Sequence, residues 1–371
     1  TIIDFPPYGE CVVSRGIANS KGPLVCFFNT VKTIKEELGY FPLNLWFVIE
    51  GEEEMGSESL IPFTAKHANE LNKCLGVYLL SARQDENGKP FTTLGNKGIL
   101  YFEMEAKGAE WGGPSKLDIH GSNAAWISNP IWRLVNALGT MRDNDDNILI
   151  DGFYDEVAPL DEMDEYYTER MAEVLDEDMY LNKRFYATRF IHGKPGRDAL
   201  RDLLWKPTLN IDGIWGGYIG PATKTIVPYH ATCKVDVRLV PNMRPERTLE
   251  LIRKHLDRHG YSDIILTRRQ GTPSSKVNAD SSLAKACISA MEMSGYPENT
   301  VWPIFPGSGP AYLFTDPPVN LPLVDYSLGI HGQIHAPNEY FTVKGLRENE
   351  LSVAAVLWNL CRVIEEEGVK K

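Results

Sequence analysis

Leu43-Asn44-Leu45-Trp46-Phe47-Val48-Ile49 runs without a break into Glu50-Gly51-Glu52-Glu53-Glu54-Met55-Gly56-Ser57. The first seven residues are almost continuously apolar, which is how a strand buried on both faces reads. The adjacent carboxylates that follow repel one another, and like charges this close raise each other's pKa. Ligands of open α/β sheets bind at the carboxyl ends of the strands, and a cation there is the simplest offset to such a cluster. A divalent metal would take one carboxylate as ligand and leave a neighbour as general base. The same eight residues also read as a solvated acidic turn capping the next helix, and alone they leave both readings open.

Working outward, Lys21-Gly22-Pro23 suits the first turn of a helix over residues 24–38. A second helix is expected over 63–75 and a second buried strand over 76–80. Helix alternating with buried strand implies an α/β domain, a mostly parallel sheet with helices on both faces. The pattern changes near Gly98. Residues 99–105 alternate, 130–138 read as a helix, and in 227–240 Cys233, Val235, Val237 and Leu239 point one way while Lys234, Asp236 and Arg238 point the other. An amphipathic helix over 245–259 and a short strand over 264–267 complete an α+β unit. Long helices over 281–294 and 348–368 then flank buried strands such as 321–326. The expected division is a sheet domain in two parts, residues 1–112 and 275–371, with an inserted domain over 113–274.

The formal net charge of −12 argues against nucleic acid as a partner, because such a chain repels phosphate. Much of the acidity lies between Asp151 and Asp178 and reads as a solvated face. The six cysteines are scattered without a C-x-x-C pair, so a reduced, cytoplasmic protein is expected rather than a disulfide or zinc-finger framework. No apolar run is long enough to span a membrane, so no membrane partner is expected. The opening Thr1-Ile2-Ile3-Asp4 lacks a Met and starts mid-pattern, which reads as truncation or processing.

Three further groups carry chemistry. His331-Gly332-Gln333-Ile334-His335-Ala336-Pro337-Asn338-Glu339 follows a buried strand. A histidine there suits zinc or manganese, with a nearby carboxylate to orient it, although a lone loop histidine is commonly just exposed. His120 precedes Asn129-Pro130. Arg238 lies in Val237-Arg238-Leu239-Val240-Pro241-Asn242 and either faces solvent or clamps a carboxylate with two parallel hydrogen bonds.

Taken in order, these segments resemble the metallopeptidase and deacylase superfamily of carnosinases, cytosolic dipeptidases and acetylornithine deacetylase. The resemblance extends through Arg15–Pro23, Gly95-Asn96-Lys97-Gly98, Asp118-Ile119-His120, Asn210–Ile214 and Gly307-Ser308-Gly309-Pro310. It implies a zinc-peptidase-like catalytic domain with an inserted lid and dimerisation domain, a homodimer formed through roughly residues 113–270, and hydrolysis of an amide next to an amino-acid carboxylate with zinc or manganese ions. In that scheme Glu53 is the general base, Glu54 and His335 are metal ligands, and His120 stabilises the oxyanion of the partner subunit's site. Arg238 holds the substrate carboxylate, with Ser308 and Gly307 in the loop beside it.

The departures are as specific. The family's His-x-Asp motif would fall before Thr1. Asn19 stands where the resemblance implies a metal-bridging aspartate, and Ser81-Ala82 where it implies another, with Asp85 nearby. Three readings follow. One is an amidohydrolase acting on an amino-acid or dipeptide-like substrate, with donors supplied by a separate N-terminal fragment or an altered metal site. Another is an impaired relative that binds a ligand or partner. The last is a metal-independent enzyme reusing Glu53, His120 and Arg238.

Overall fold

The computed structural model describes residues 1–84, 88–296 and 300–368, so Asp85 lies outside the described residues. Strands β1 (Ile2–Asp4) and β2 (Glu10–Val13) lead to helix α1 (Gly22–Leu38), entered through Pro23 and stopped by Gly39 at φ 75°. Next come α2 (Leu60–Lys66), α3 (Ala68–Leu71), β3 (Val77–Leu79), β4 (Phe91–Thr93), β5 (Gly95–Asn96) and β6 (Gly98–Lys107). They are followed by β7 (Ile119–His120), α4 (Pro130–Met141), α5 (Glu162–Glu173), α6 (Gly196–Trp205), β8 (Asn210–Gly216), β9 (Ile226–Val227) and β10 (His230–Leu239). The remainder is α7 (Pro245–Arg258), β11 (Ile265–Thr272), β12 (Ser275–Lys276), α8 (Ser282–Met293), β13 (Thr300–Trp302), α9 (Tyr312–Thr315), β14 (Leu323–Asp325), β15 (His331–Gly332), β16 (Tyr340–Thr342) and α10 (Val343–Glu366).

Besides an antiparallel four-stranded sheet of order β1-β2-β16-β15, two further four-stranded sheets organise these elements. The first has the order β13-β4-β14-β3, with β13/β4 and β14/β3 parallel and β4/β14 antiparallel. Its core brings Val301 and Val324 together with Leu283, Cys287 and Met291 of α8 and Val356 of α10. Helices α5 and α6 share a core with Trp302 and Ile304 at the β13 side. The second sheet is antiparallel, in the order β11-β6-β10-β8. The alternation read in residues 227–240 follows from its two faces. Cys233, Val235, Val237 and Leu239 are buried against Leu134 and Met141 of α4 and Ile252 and Leu256 of α7, whereas Lys234 and Arg238 are half-buried on the open face.

The two units are joined by β5 pairing antiparallel with β12. A Cβ on Gly95 (φ 151°) or Gly98 would run into the backbone of this crossover, at the Ser275 and Thr272 carbonyl oxygens. The backbone amide of Lys97 donates to the Phe305 carbonyl at 2.9 Å, which ties the same crossover to the loop that carries Ser308.

The first stretch read in the sequence departs from expectation. Residues 43–49 form no strand. Leu43 and Leu45 pack with Phe27, Val353 and Leu357, and Val48 packs with the core around Leu321 and Leu323. Trp46 and Ile49 remain 61% and 65% exposed, so the run is not buried on both faces. The physical reason is pairing: β3 bonds only to β14 among the described residues, and no backbone partner reaches 43–49. The helix expected over 63–75 is two short helices broken at His67. The acidic segment is mostly solvated, but Asp164 is 4% exposed and pairs with Lys276 beneath a reciprocal Asp161–Asp164 cap.

Candidate active site

The acidic loop sorts its carboxylates by partner. Ser57, buried at the end of the turn, donates its hydroxyl to Glu50 Oε1 at 3.0 Å, and the Ser59 amide donates to Glu52 Oε2 at 3.1 Å. The Ser59 contacts hold the Glu52 carboxyl below its ordinary range. Glu54 Oε1 lies 2.7 Å from Asn19 Nδ2, which donates to it, and 2.6 Å from His335 Nε2. Among the described residues the Glu53 side chain accepts no protein hydrogen bond. Lost hydration raises its carboxyl above the ordinary range, with Glu54 and Glu50 adding to the rise and His335 opposing it.

Two other loops complete this cluster. Glu339, 1% exposed, accepts from the amides of Gly16 (2.8 Å), Ala18 (3.0 Å) and Asn19 (3.0 Å) and from Arg15 Nη1 (2.9 Å). Burial pushes its carboxyl up, but these donors outweigh burial and hold it below the usual range. Glu339 thus fixes the Asn19 loop and orients neither His331 nor His335. His331 instead packs on Phe341, with Nδ1 2.9 Å from the Gly329 carbonyl. Ser57, Gln333, His335 and Asn338 all adopt positive φ on the loops that meet here. For residues other than glycine this costs of order 1–3 kcal/mol each and clusters where function constrains the backbone.

Asn19, Glu54 and His335 therefore meet in space across more than 300 residues of chain. They do not fit a divalent metal on their own. The Asn19 amide turns a hydrogen toward Glu54 where a ligand would present an oxygen. Ala82 is buried against Ala18 and Phe341, so position 82 brings a methyl group and no carboxylate. Among the described residues no group of three or more His, Cys, Asp or Glu side chains is placed to hold an ion. Two donors fall short of the three protein ligands usual for catalytic zinc. The expected result is substoichiometric zinc or manganese per chain after dialysis, by mass spectrometry. Asn19→Asp should raise the value by restoring a charge, and two tightly held ions in the unaltered protein would overturn this account of the loop.

A second group forms where the two units meet. Arg238 projects from the open face of β10, with Nε 3.2 Å from Asp236 Oδ1 and Nη1 donating to Ser308 Oγ at 3.0 Å. Asp236 is 7% exposed and is itself held by Asn210 Nδ2 at 2.9 Å. Gly307 precedes Ser308 with no room for a Cβ, because the Phe305 ring lies against it. Sequence reading missed Asp236 as the partner that aims Arg238. Its place two residues before the arginine on an alternating strand was the available signal, since period two puts both on one face.

His120 stands apart from both groups. It caps the turn Gly121–Ala125, with Nδ1 2.8 Å from Ser122 Oγ and Nε2 3.4 Å from Thr225 Oγ1. It is exposed, and none of its hydrogen-bond partners within the chain is a candidate site residue.

Comparison with known proteins follows the same division. Residues 94–264 match the peptidase dimerisation domain family. Beta-Ala-His dipeptidase of Rattus norvegicus is 31% identical over 260 residues, 69% of this chain and 50% of that protein. The Cys-Gly metallodipeptidase DUG1 of Saccharomyces cerevisiae is 31% identical over 245 residues, 66% of this chain and 49% of that protein. The chain thus spans about half the length of the curated relatives it matches. Among solved structures, the M20 family metallo-carboxypeptidase Sso-CP2 of Sulfolobus solfataricus superposes with a TM-score of 0.81 at 28% identity, over 94% of this chain and 78% of that one. Human carnosine dipeptidase 1 superposes with 0.71 at 27% identity, over 95% and 74%. These neighbours share the arrangement of a peptidase sheet domain carrying a dimerisation domain.

Proposed function

Because the chain belongs to the metallopeptidase superfamily that contains these dipeptidases, we propose that it hydrolyses the amide bond of a dipeptide or acylated amino acid bearing a free carboxylate. The observation that carries this reading is the corner formed by Arg238, Ser308 and Asp236. Asp236 takes the Nε side of the guanidinium, and Ser308 receives Nη1, so the planar fork is held still across the junction of the two units. A fixed fork recognises a carboxylate by two parallel hydrogen bonds. The loop of Glu53, whose carboxylate accepts no protein hydrogen bond among the described residues, supplies the base that takes a proton from the attacking water.

The dimerisation domain supports a homodimer as the working form, through residues 113–270. Strand β8 is an edge strand whose Ile211 and Ile214 are 49% and 45% exposed, and pairing it with its two-fold mate would cover them. In such a dimer His120 is free to serve the partner subunit's site as an oxyanion donor. A cytoplasmic setting is part of the proposal, since no disulfide joins Cys11, Cys26, Cys74, Cys233 or Cys287.

Arg238→Lys tests the substrate class. Lysine keeps the charge but loses the planar fork. Binding of N-acetylglycine should weaken at least tenfold, about 1.4 kcal/mol, while N-acetylglycinamide is nearly unaffected. Equal losses for both ligands would make the arginine structural. A second reading, a subunit that binds such ligands without cleaving them, is favoured by one observation: Asn19 sets a neutral amide against both Glu54 and His335, which bond each other directly.

A further inference from the structure

Lys97 is among the largest fully buried side chains of the protein, with 2% exposure. It lies between Asn96 and Gly98 in the crossover that joins the two units. Its ammonium donates to the Lys206 carbonyl oxygen at 2.6 Å, and no carboxylate lies within ion-pair distance among the described residues. A lysine seldom stays buried without a counter-charge, because desolvation of the ammonium is then only partly offset. The register locates it. Ile99 pairs with Arg238, so Lys97, immediately before β6, lies two residues along the chain from Arg238's strand partner. The Lys97 amide bonds to Phe305, at the base of the loop that presents Ser308 to Arg238. The segment that accepts its ammonium continues to Thr208, whose hydroxyl receives the Arg238 amide at 3.0 Å.

We propose that Lys97 is a second cation of the Arg238 corner, placed behind it at the hinge so that a bound carboxylate supplies the counter-charge the fold leaves out. The inference rests on the reading of Arg238 given above. It makes Lys97 a specificity-determining residue for anionic ligands and brings the hinge itself into ligand recognition.

The charges around Lys97 agree with this role. Asp236 is engaged by Arg238 and Asn210, and neighbouring Asp212 also accepts from Asn210. Asp202 is shared by Lys194 and Lys206. Lys276 of β12 is paired with Asp161 and Asp164, and Arg83, which lies over the Phe305 ring, is paired with Asp325. Burial lowers the Lys97 amine to about 7, helped by Arg238 and opposed by Asp202. An anion bound at Arg238 favours the protonated amine, so ligand binding should draw in a proton above neutrality. Affinity should therefore fall as pH rises from 6 to 9, by about tenfold for each unit by which the ligand raises the amine.

The experiment uses the full chain labelled with [13Cε]lysine, with Lys97→Met to assign the Lys97 resonance. That resonance should titrate near neutrality in the free protein and move upward with saturating N-acetylglycine, but not with N-acetylglycinamide. By calorimetry, N-acetylglycine affinity should fall between pH 6 and 9 in the native protein and stay level in Lys97→Arg, whose charge is permanent. A Lys97 signal at the ordinary lysine position, or one indifferent to N-acetylglycine while Arg238→Lys still weakens binding, would overturn the role of Lys97 alone. If Arg238→Lys leaves N-acetylglycine binding unchanged, the corner fails and this inference falls with it.

Discussion

Glu53→Gln is expected to lower turnover of a dipeptide with a free carboxyl terminus by roughly 10²–10⁴-fold, the usual range for removing a general base, with little change in ligand affinity. The expectation follows from how the loop distributes its charges. Glu50 is met by Ser57, Glu52 by Ser59, and Glu54 by Asn19 and His335. Among the described residues the Glu53 side chain accepts no protein hydrogen bond and so remains for an outside proton, and glutamine keeps its shape while removing its basicity. Initial rates of amino-acid release measure kcat and KM together. A fall in kcat of less than threefold would show that Glu53 is a solvated turn residue.

Asp325→Ala is expected to cost about 3–5 kcal/mol of stability, as removal of one partner from a buried ion pair does. Asp325 is 2% exposed on β14, pairs with Arg83, and accepts from Thr93 Oγ1 at 2.7 Å. Alanine leaves the guanidinium facing the Phe91 and Phe305 rings without its anion. Urea unfolding should show a lower midpoint, and Arg83→Met combined with Asp325→Leu should recover much of the loss. A single-variant cost below about 1 kcal/mol would mean that water already screens the pair.

The antiparallel sheet was legible because a sheet with one packed and one open face writes period two into its strands, as residues 233–239 do. Helices α8 and α10 were legible from their length and apolar faces. The stretch 43–49 was not, because an apolar run reports what a segment can bury and says nothing of which strand will bond to it. The juncture of Asn19, Glu54 and His335 came from resemblance, since no local pattern links residues this far apart. Lys97 and Asp236 were invisible for a related reason. A lysine beside a glycine reads as a solvated turn, and an aspartate on the polar face of a strand reads as exposed. What buries them is contact with Lys206, Asn210 and Arg238, contributed by distant parts of the chain.

Carboxylate-directed amide hydrolysis is tested by comparing alanyl-leucine with alanyl-leucinamide. The purified protein is incubated with each, and free alanine is followed by chromatography. Release from alanyl-leucine is expected, slowed roughly 10²-fold or more in Glu53→Gln, with little from the amide. Equal release from both would contradict the role given to Arg238. Binding of alanyl-leucine without release, with or without added zinc or manganese, would contradict hydrolysis and leave the ligand-binding reading.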